Sequence, residues 1–417
     1  MYHGGMGPRR NAKRSDLVAN PQSTIRHPQS SEPTVTISRR AVDRLRAGHP
    51  WIYRSDVVDA GQAAGGDAVR LADERGRFHG RAHYSAASQI SLRLLTAEDR
   101  PVDQAFYRGA IGRARDFRDR VVSGTNAFRL VFGEGDGLPA LVVDRYGDYL
   151  SLQTLSQGMD RAAPVLIELL AEMFRPKGIV ERNDARVREL EALPRRAGVV
   201  YGECPDLIEV EMNGVRLGVR LLAGQKTGAF LDQRENYAAA ESYARGAGLD
   251  CFTYAGGFAL HLARRCESVE AVDSSAEALE AARANAALNA RENVAFTEAN
   301  VFDLLKSYDE QRRAFDTIVL DPPAFAKTRA NLDAALRGYK EINLRALRLL
   351  RAGGVLVTCT CSHHVSEADF LETVASAALD ARRRLKVLER RSQAKDHPIL
   401  LTVPETLYLK CLIVLAD

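Results

Sequence analysis

The sequence predicts a multidomain α/β protein whose C-terminal half folds as a mostly parallel, doubly wound sheet. Two observations support this prediction. From Leu249 onward, short apolar runs alternate with longer segments of helical pattern, which is typical of strand–helix–strand units. Several of these runs also end in polar or turn residues, at the edge where a parallel sheet opens its ligand crevice. The chain of 417 residues is long enough for about two to four domains.

Composition narrows the class of protein. The chain is 46% hydrophobic and carries a formal net charge of +4, which is ordinary for a globular protein. No apolar run is long enough to cross a bilayer, and the N-terminus lacks the apolar core of a secretory signal. We therefore expect a cytoplasmic protein with no membrane partner. The six cysteines show no spacing typical of a zinc site or a disulfide framework, so no metal is predicted.

Shifts in pattern divide the chain into four predicted segments. Residues 1–33 are a basic tail without periodicity, in which we expect no fixed structure. Residues 34–102 are predicted to form a small β domain, residues 103–205 an α+β domain, and residues 206–417 the domain with the parallel sheet. Residues 1–46 carry nine Lys and Arg side chains against three carboxylates, which suits a polyanion such as RNA. The alternative for this charge is a solvated tail and helix face.

The first two folded domains have their own strand and turn signals. From Val35 the pattern predicts a strand, a short helix and a turn, and three short strands follow before Arg100. In the second domain a helix opens at Pro101. Three strands, a helix from Met159 to Phe174 and a final strand come after it. We expect no catalytic residue in this domain, because its arginines are typical of a solvated helix face.

The third domain begins with a hairpin and continues as the alternating sheet. Asn213-Gly214 between two apolar runs is a strong hairpin signal. Five strands then alternate with helices, with sequences LDCFTY, VEAVDS, VAFTEAN, FDTIVLD and GVLVTCT. Two last strands, near Leu385–Arg391 and Leu407–Leu415, are predicted to form an antiparallel edge.

The first three strand ends point to a bound nucleoside. Tyr254 is followed by Gly256 and Gly257, and glycines let a backbone approach a ligand closely. Asp273 ends the second strand, where an acid can accept hydrogen bonds from ribose hydroxyls. No G-x-G-x-x-G cradle for a pyrophosphate is present, so S-adenosylmethionine fits better than a dinucleotide. Asn300, after the third strand, could bind the adenine edge.

The last two parallel strands end in a carboxylate and a thiol. Asp321 is followed by Pro322 and Pro323, and Cys361 follows the other strand. A carboxyl group can exchange protons with a substrate, and a thiol with a lowered pKa can attack it. The alternatives are a turn that ends the strand and a buried structural cysteine. Cys359 is predicted to lie in the core.

Seven segments of the C-terminal half together resemble one known family. They are QKTGAFLDQR (225–234), CFTYAGGFAL (251–260), VDSSAEAL (272–279), LDPPAF (320–325), RGYKEIN (337–343), TCTCS (358–362) and DHP…PETLYLK (396–410). They resemble bacterial 23S ribosomal RNA methyltransferases that make 5-methylcytosine. That family joins a PUA domain, an α+β domain and a Rossmann-like domain for S-adenosylmethionine. In the first domain, GHPWIYRSDV likewise resembles the RNA-binding PUA barrel.

The resemblance implies roles for particular residues. Gly256 and Asp273 would contact the cofactor, Asp321 would lie between cofactor and base, and Cys361 would be the nucleophile. Further predicted cofactor-binding residues are Phe230, Asp232, Gln233, Tyr254, Gly257, Asn300 and Pro322. Predicted RNA-binding residues are Arg39, Arg40, Trp51, Lys226 and Arg234. For the residues between 226 and 234 the alternative is packing of the hairpin onto the sheet. The chain departs from the family at Asn300, where an acid is common.

The expected activity is methylation of cytosine carbon 5 in 23S rRNA through a covalent cysteine adduct. The expected substrate particle is the large ribosomal subunit or its precursor. One alternative is N-methylation of an exocyclic amine gripped by the Asp-Pro-Pro loop. Another is an inactive RNA-binding or ribosome-assembly module. The modified nucleotide, the base that removes the carbon 5 proton, and the choice between monomer and homodimer stay open.

Overall fold

The computed structural model describes residues 32–222, 229–326 and 328–417. Pro33–Asp417 forms one compact unit, so the predicted domain boundaries inside it remain predictions. The prediction for the tail 1–33 lies almost wholly outside the described residues. None of the helices in the described ranges has the length and apolar character that a bilayer span requires.

The first sheet is built from short strands and one helix: β1 (Thr34–Ile37), α1 (Arg39–Arg46), β2 (Trp51–Tyr53), β3 (Val57–Asp59), β4 (Ala68–Asp73), β5 (Phe78–Tyr84) and β6 (Ile90–Thr96). The strand order is β2-β6-β5-β4-β1-β3. Alternate apolar side chains such as Val35 and Ile37 point into its core and are fully buried. Ser38 begins α1 by accepting a hydrogen bond from the Ala41 amide.

The middle sheet packs against two long helices. Its elements are α2 (Gln104–Val121), β7 (Ala127–Phe132), β8 (Leu141–Tyr146), β9 (Tyr149–Thr154), α3 (Gln157–Phe174), β10 (Gly178–Asn183) and β11 (Arg196–Gly202). The strand order is β11-β10-β9-β8-β7. Asp103 and Ser156 cap the two helices. Both helices begin within a few residues of their predicted starts at Pro101 and Met159.

The hairpin is formed by β12 (Ile208–Met212) and β13 (Val215–Val219), which confirms its prediction. Asn213 and Gly214 both have positive φ angles, of 53° and 78°, as a tight two-residue hairpin turn requires. The hairpin then leads into the largest sheet.

The largest sheet contains α4 (Arg234–Tyr243), β14 (Ala247–Cys251), α5 (Gly257–Leu262), β15 (Ser268–Asp273), α6 (Ala276–Leu288), β16 (Val294–Glu298), α7 (Val301–Glu310), β17 (Phe315–Leu320), α8 (Leu332–Leu349), β18 (Leu350–Thr360), α9 (Glu367–Asp380), β19 (Leu385–Arg391) and β20 (Lys410–Ala416). The strand order is β16-β15-β14-β17-β18-β20-β19. Strands β14 to β18 pair in parallel, and β20 pairs antiparallel with both neighbours. The predicted fold class and antiparallel edge are confirmed.

The loop between β19 and β20 joins the middle sheet to the largest one. Asp396 is fully buried, and its two carboxylate oxygens accept from the backbone amide of Arg129 at 2.8 Å and from Arg234 at 3.1 Å. Its carbonyl oxygen accepts from Arg118 at 2.7 Å. Burial disfavours the charge of Asp396, but His397, Arg234 and the Arg129 amide outweigh it and hold the pKa of Asp396 well below its usual range.

Replacing Arg234 with leucine should lower the free energy of unfolding by roughly 3–5 kcal/mol, because Asp396 would lose the buried guanidinium paired with it. The matched change Arg113→Leu removes an exposed arginine of α2 and should alter stability by at most about 0.5 kcal/mol. Urea unfolding of both variants measures the difference. Equal losses would contradict a specific role for the buried pair.

Candidate active site

A cavity of about 340 Å³ lies at the carboxyl ends of the parallel strands. Its wall contains nine of the predicted site residues: Phe230, Asp232, Gln233, Tyr254, Gly257, Asp273, Asp321, Pro322 and Cys361. A cavity of this volume falls in the range that accommodates a small-molecule cofactor. A second cavity of about 350 Å³ adjoins it along α6 and shares Tyr254 and Ser275 in its wall.

Asp273 fixes the loop that follows β14. One of its carboxylate oxygens accepts from the Tyr254 amide at 2.9 Å, and the other accepts from the Ser275 amide at 3.0 Å. Phe252 and Tyr254 take positive φ angles of 66° and 50°, an uncommon conformation for residues with a side chain. The carboxylate therefore holds a strained loop while keeping lone pairs for further donors such as ribose hydroxyls.

Two different structural constraints favour glycine at positions 256 and 257, at the start of α5. Gly256 has a φ of +87° at the N-cap position, which favours glycine, and it lies beside the wall rather than in it. Gly257 has no such angle, but a Cβ there would come within 2.6 Å of the Tyr237 ring. Tyr237 also lines the cavity, so a side chain at position 257 would displace part of the wall.

Asp250 is a buried carboxyl group near the end of β14, for which the sequence predicted no role. It accepts from the Thr253 hydroxyl at 2.6 Å and from the Ala259 amide at 2.9 Å, which ties the loop to the first turn of α5. Its Oδ1 is buried and finds no hydrogen-bond partner within the described ranges. Burial raises the pKa of Asp250 to about 7.

Asp321 and Cys361 lie in the same cavity, as the strand-end pattern predicted. The Gln233 amide donates to Asp321 Oδ1 at 2.9 Å. The Cys361 thiol lies 4.0 Å from the carbonyl oxygen of Pro322, so the thiol borders the Asp-Pro-Pro loop. Cys359 is fully buried in an apolar cluster, which confirms the prediction that it belongs to the core.

Ser362 and Lys410 hold the segment that carries Cys361 at the end of β18. The Ser362 hydroxyl contacts the Tyr339 hydroxyl at 2.9 Å and accepts from the Ala326 amide at 3.2 Å, which links the segment after Cys361 to the segment after Asp-Pro-Pro. Lys410 is buried and donates to the Ser362 carbonyl at 3.5 Å. Burial lowers the pKa of Lys410, and the nearby Cys361 opposes this by electrostatic attraction. A cation at this place favours the thiolate form of Cys361.

The predicted RNA-binding residues do not lie together. Arg39 has an exposed fraction of 92% and Arg40 of 66%, and both lie on α1. Trp51 donates its indole N–H to Glu134 at 2.9 Å, so it joins the first sheet to the middle one. Arg234 is buried beside Asp396, which agrees with the alternative that this segment packs onto the sheet, and its contact with RNA remains a prediction. Lys226 lies outside the described residues.

Asn300 caps α7 rather than lining the cavity. Its side-chain oxygen accepts from the Phe302 amide at 2.9 Å, and the residue is exposed. Capping of the helix is enough to explain a polar residue after β16, and no ligand is needed to explain it. A contact with adenine remains a prediction.

The residues present fit S-adenosylmethionine. Asp273 offers carboxylate oxygens in the cavity wall at the end of β15. These acceptors match the ribose hydroxyl groups of the cofactor, and the aromatic rings of Phe230 and Tyr254, 5.0 Å apart, supply an apolar side.

Comparison with known proteins agrees with this site. A model described as S-adenosylmethionine-dependent methyltransferase matches residues 194–412, and a PUA-like domain matches residues 35–97. Fold and site thus define an S-adenosylmethionine-dependent methyltransferase with a PUA-like domain.

Relatives narrow the class further. A ribosomal RNA large subunit methyltransferase I of Shewanella denitrificans is 40% identical, covering 88% of this chain and 96% of its own. One of Tolumonas auensis is 41% identical, covering 92% and 99%. The chain belongs to the ribosomal RNA large subunit methyltransferase I family.

Solved structures share the fold. One described as a SAM-dependent methyltransferase from Streptococcus mutans has a TM-score of 0.77 and 19% identity, covering 92% of this chain and all of its own. A methyltransferase solved in complex with SAH has a TM-score of 0.79 at 19% identity and the same coverage.

Changing Gly257 to alanine should weaken binding of S-adenosylmethionine by roughly tenfold and cost about 1–3 kcal/mol of stability, because the new methyl group overlaps the Tyr237 ring. Gly112→Ala in α2 is the control, since a Cβ there meets nothing within 4 Å and should stabilise the helix by roughly 0.5–1 kcal/mol. Calorimetric titration and thermal unfolding provide the measurements. Wild-type affinity in Gly257→Ala would refute the steric argument.

Asp250 should make stability depend on pH. Its pKa is about 7 in the folded chain against 3.8 for an unperturbed aspartate, so the folded state holds the extra proton between these pH values and loses stability as pH rises through them. The free energy of unfolding of Asp250→Asn should therefore rise relative to that of the wild type by up to about 1.4 kcal/mol per pH unit up to pH 7. Above pH 7 the difference should stay constant. Urea unfolding without cofactor tests this, with exposed Asp119→Asn as the control that should run parallel to wild type.

Proposed function

We propose that this chain methylates carbon 5 of a cytosine in 23S rRNA through a covalent adduct with Cys361. The observation that carries the proposal is the placement of the Cys361 thiol beside the Asp-Pro-Pro loop, in the cavity that also holds Asp273. Methylation of an exocyclic amine needs no thiol at this position. The name of the relatives, ribosomal RNA large subunit methyltransferase I, supports the substrate.

The proposed reaction uses the thiol to activate a poor nucleophile. The Cys361 thiolate forms a bond to carbon 6, and the electron pair of the 5,6 double bond moves to carbon 5. S-Adenosylmethionine, when bound, supplies an electrophilic methyl group on its sulfonium. Carbon 5 would take that methyl group as the methyl–sulfur bond breaks, and the electron pair of that bond would stay on sulfur, leaving S-adenosylhomocysteine. A base then removes the carbon 5 proton, the double bond re-forms, and the thiolate leaves.

Two side chains assist the thiol in this scheme. A hydrogen bond or proton from Asp321 to ring nitrogen 3 would offset the negative charge that the attack places on the ring. Lys410, within electrostatic reach of Cys361, favours the attacking thiolate. The base that removes the carbon 5 proton stays open among Asp321, His363, His364 and water.

We further propose that residues 34–102 hold the RNA, while residues 206–417 perform the chemistry and residues 103–205 connect them. Arg39 and Arg40 are two of the exposed cations of α1 that could contact phosphates, although Arg40 also pairs with Asp56 at 2.6 Å. Such contacts position a nucleic acid without selecting a sequence. They would make binding strongly dependent on salt.

Replacing Cys361 with alanine should reduce methyl transfer to 23S rRNA by roughly a thousandfold or more, because the nucleophile is lost. The affinity for S-adenosylmethionine should change little. Cys204→Ala, at a cysteine outside the cavity wall, is the matched control and should retain wild-type turnover. Radiolabelled methyl transfer measures turnover, and chromatography of nucleosides identifies the product.

Each rival function has its own outcome in these measurements. Full turnover by Cys361→Ala, or an N-methylated nucleoside as the product, would favour amine methylation. Absence of cofactor binding in the wild type would favour an RNA-binding or assembly module. Bisulfite mapping of rRNA from a strain lacking the gene would identify the modified cytosine.

A further inference from the structure

Gln233 connects Asp321 to a chain of buried hydrogen bonds. Its Nε2 donates to Asp321 Oδ1 at 2.9 Å, and its Oε1 accepts from Asn236 Nδ2 at 2.7 Å. The Oδ1 of Asn236 in turn accepts from Arg391 Nε at 2.8 Å. Gln233 and Asn236 have exposed fractions of 2% and 0%, so water does not compete for these bonds.

The direction of every bond in this chain is set by Arg391. A guanidinium group has only donors, so it must face the oxygen of the Asn236 amide. The Nδ2 of Asn236 also donates to the Ser392 carbonyl at 3.1 Å, and a reversed amide would lose both contacts. Since Asn236 presents its nitrogen to Gln233, Gln233 must present its own nitrogen to Asp321.

The consequence for Asp321 concerns the orientation of its carboxyl group. Its Oδ1 accepts from Gln233 Nε2, a donor whose direction is fixed, in the wall of the cavity. We propose, on the basis of the cytosine reaction above, that Gln233, oriented by Asn236 and Arg391, is a positioning residue that holds the Asp321 carboxyl group in one orientation. The carboxyl group then faces the ring nitrogen of the base in one fixed geometry.

Other ionisable groups surround Asp321 and share its electrostatic environment. Asp250, Tyr237 and Cys359 interact with its charge, and Cys361, Asp232 and Asp273 line the same cavity. Cys359 also interacts with the Gln233 side chain, but Arg391 sets the direction of the amide chain because its guanidinium group only donates. A change at Asn236 therefore alters the hydrogen bonding of Asp321 without touching the cavity wall.

The test compares Gln233→Leu and Asn236→Asp. The first removes the donor to Asp321. The second keeps the contact with Arg391 but cannot donate to Gln233, whose amide is then free to reverse. Both should lower kcat by roughly tenfold to a hundredfold, and Asn236→Asp, which lies outside the cavity wall, should leave the affinity for S-adenosylmethionine within about threefold. Both should also move the ionisation in the kcat profile that belongs to Asp321 upward by about one pH unit, because its ionised form loses a hydrogen bond.

Asn293→Asp is the matched control, because the Asn293 amide also donates two hydrogen bonds, to backbone carbonyls at 2.9 and 3.0 Å, but neither partner is Gln233 and the residue lies outside the cavity wall. It should lose stability without a shift in the profile. Unshifted profiles in Gln233→Leu and Asn236→Asp would overturn the proposal, whatever the loss of rate.

The readout is total methyl label transferred to 23S rRNA, and the product nucleoside is identified separately. A product other than 5-methylcytosine in the wild type would refute the cytosine reaction, and with it the orientation of Asp321 toward the ring nitrogen. A wild-type 5-methylcytosine product with unshifted variant profiles would refute the role of Gln233 alone.

Discussion

The parallel pairing of β17 between β14 and β18 is the constraint on which the site depends. In this register Leu320 lies opposite Cys251 on one side and Thr358 on the other. The loop after β14, the Asp-Pro-Pro loop after β17 and Cys361 after β18 therefore lie at one edge of the sheet. Because side chains alternate along a strand, a slip of one residue would turn the wrong set toward the core. Antiparallel pairing of β18 with β20 fixes this register from the other side and places Lys410 opposite Thr360.

The segment between β19 and β20 links the parallel sheet to the first and middle sheets. Asp396 reaches the middle sheet, and Glu405 lies 3.2 Å from His49 of the first sheet. Trp51 and Glu134 close the contact between the first and middle sheets. A segment without regular structure thus carries much of the packing between the parallel sheet and the rest of the compact unit. An RNA held by the first sheet would consequently meet a cavity at a fixed distance.

Sequence patterns predicted those features that depend on short stretches of chain. Alternation of strands and helices, the Asn213-Gly214 turn and the strand-end position of Asp321 and Cys361 all follow from neighbouring residues. Contacts between distant residues could not be predicted in this way. Gln233 and Asp321 are 88 positions apart, and Arg234 and Asp396 are 162 apart. Local pattern therefore does not indicate the burial of Arg234 or the places of Asp250 and Lys410, because contacts between distant residues define them.

The central claim is that Cys361 attacks the base, and trapping the attack tests it most directly. An rRNA fragment with 5-fluorocytosine at the target position should stop the reaction after methyl transfer, because fluorine cannot leave as a proton does. Incubation with S-adenosylmethionine, protease digestion and mass spectrometry would then locate the bond. The proposed mechanism predicts one RNA adduct on the peptide containing Cys361. Methylated RNA without an adduct, or an adduct at another cysteine, would contradict it.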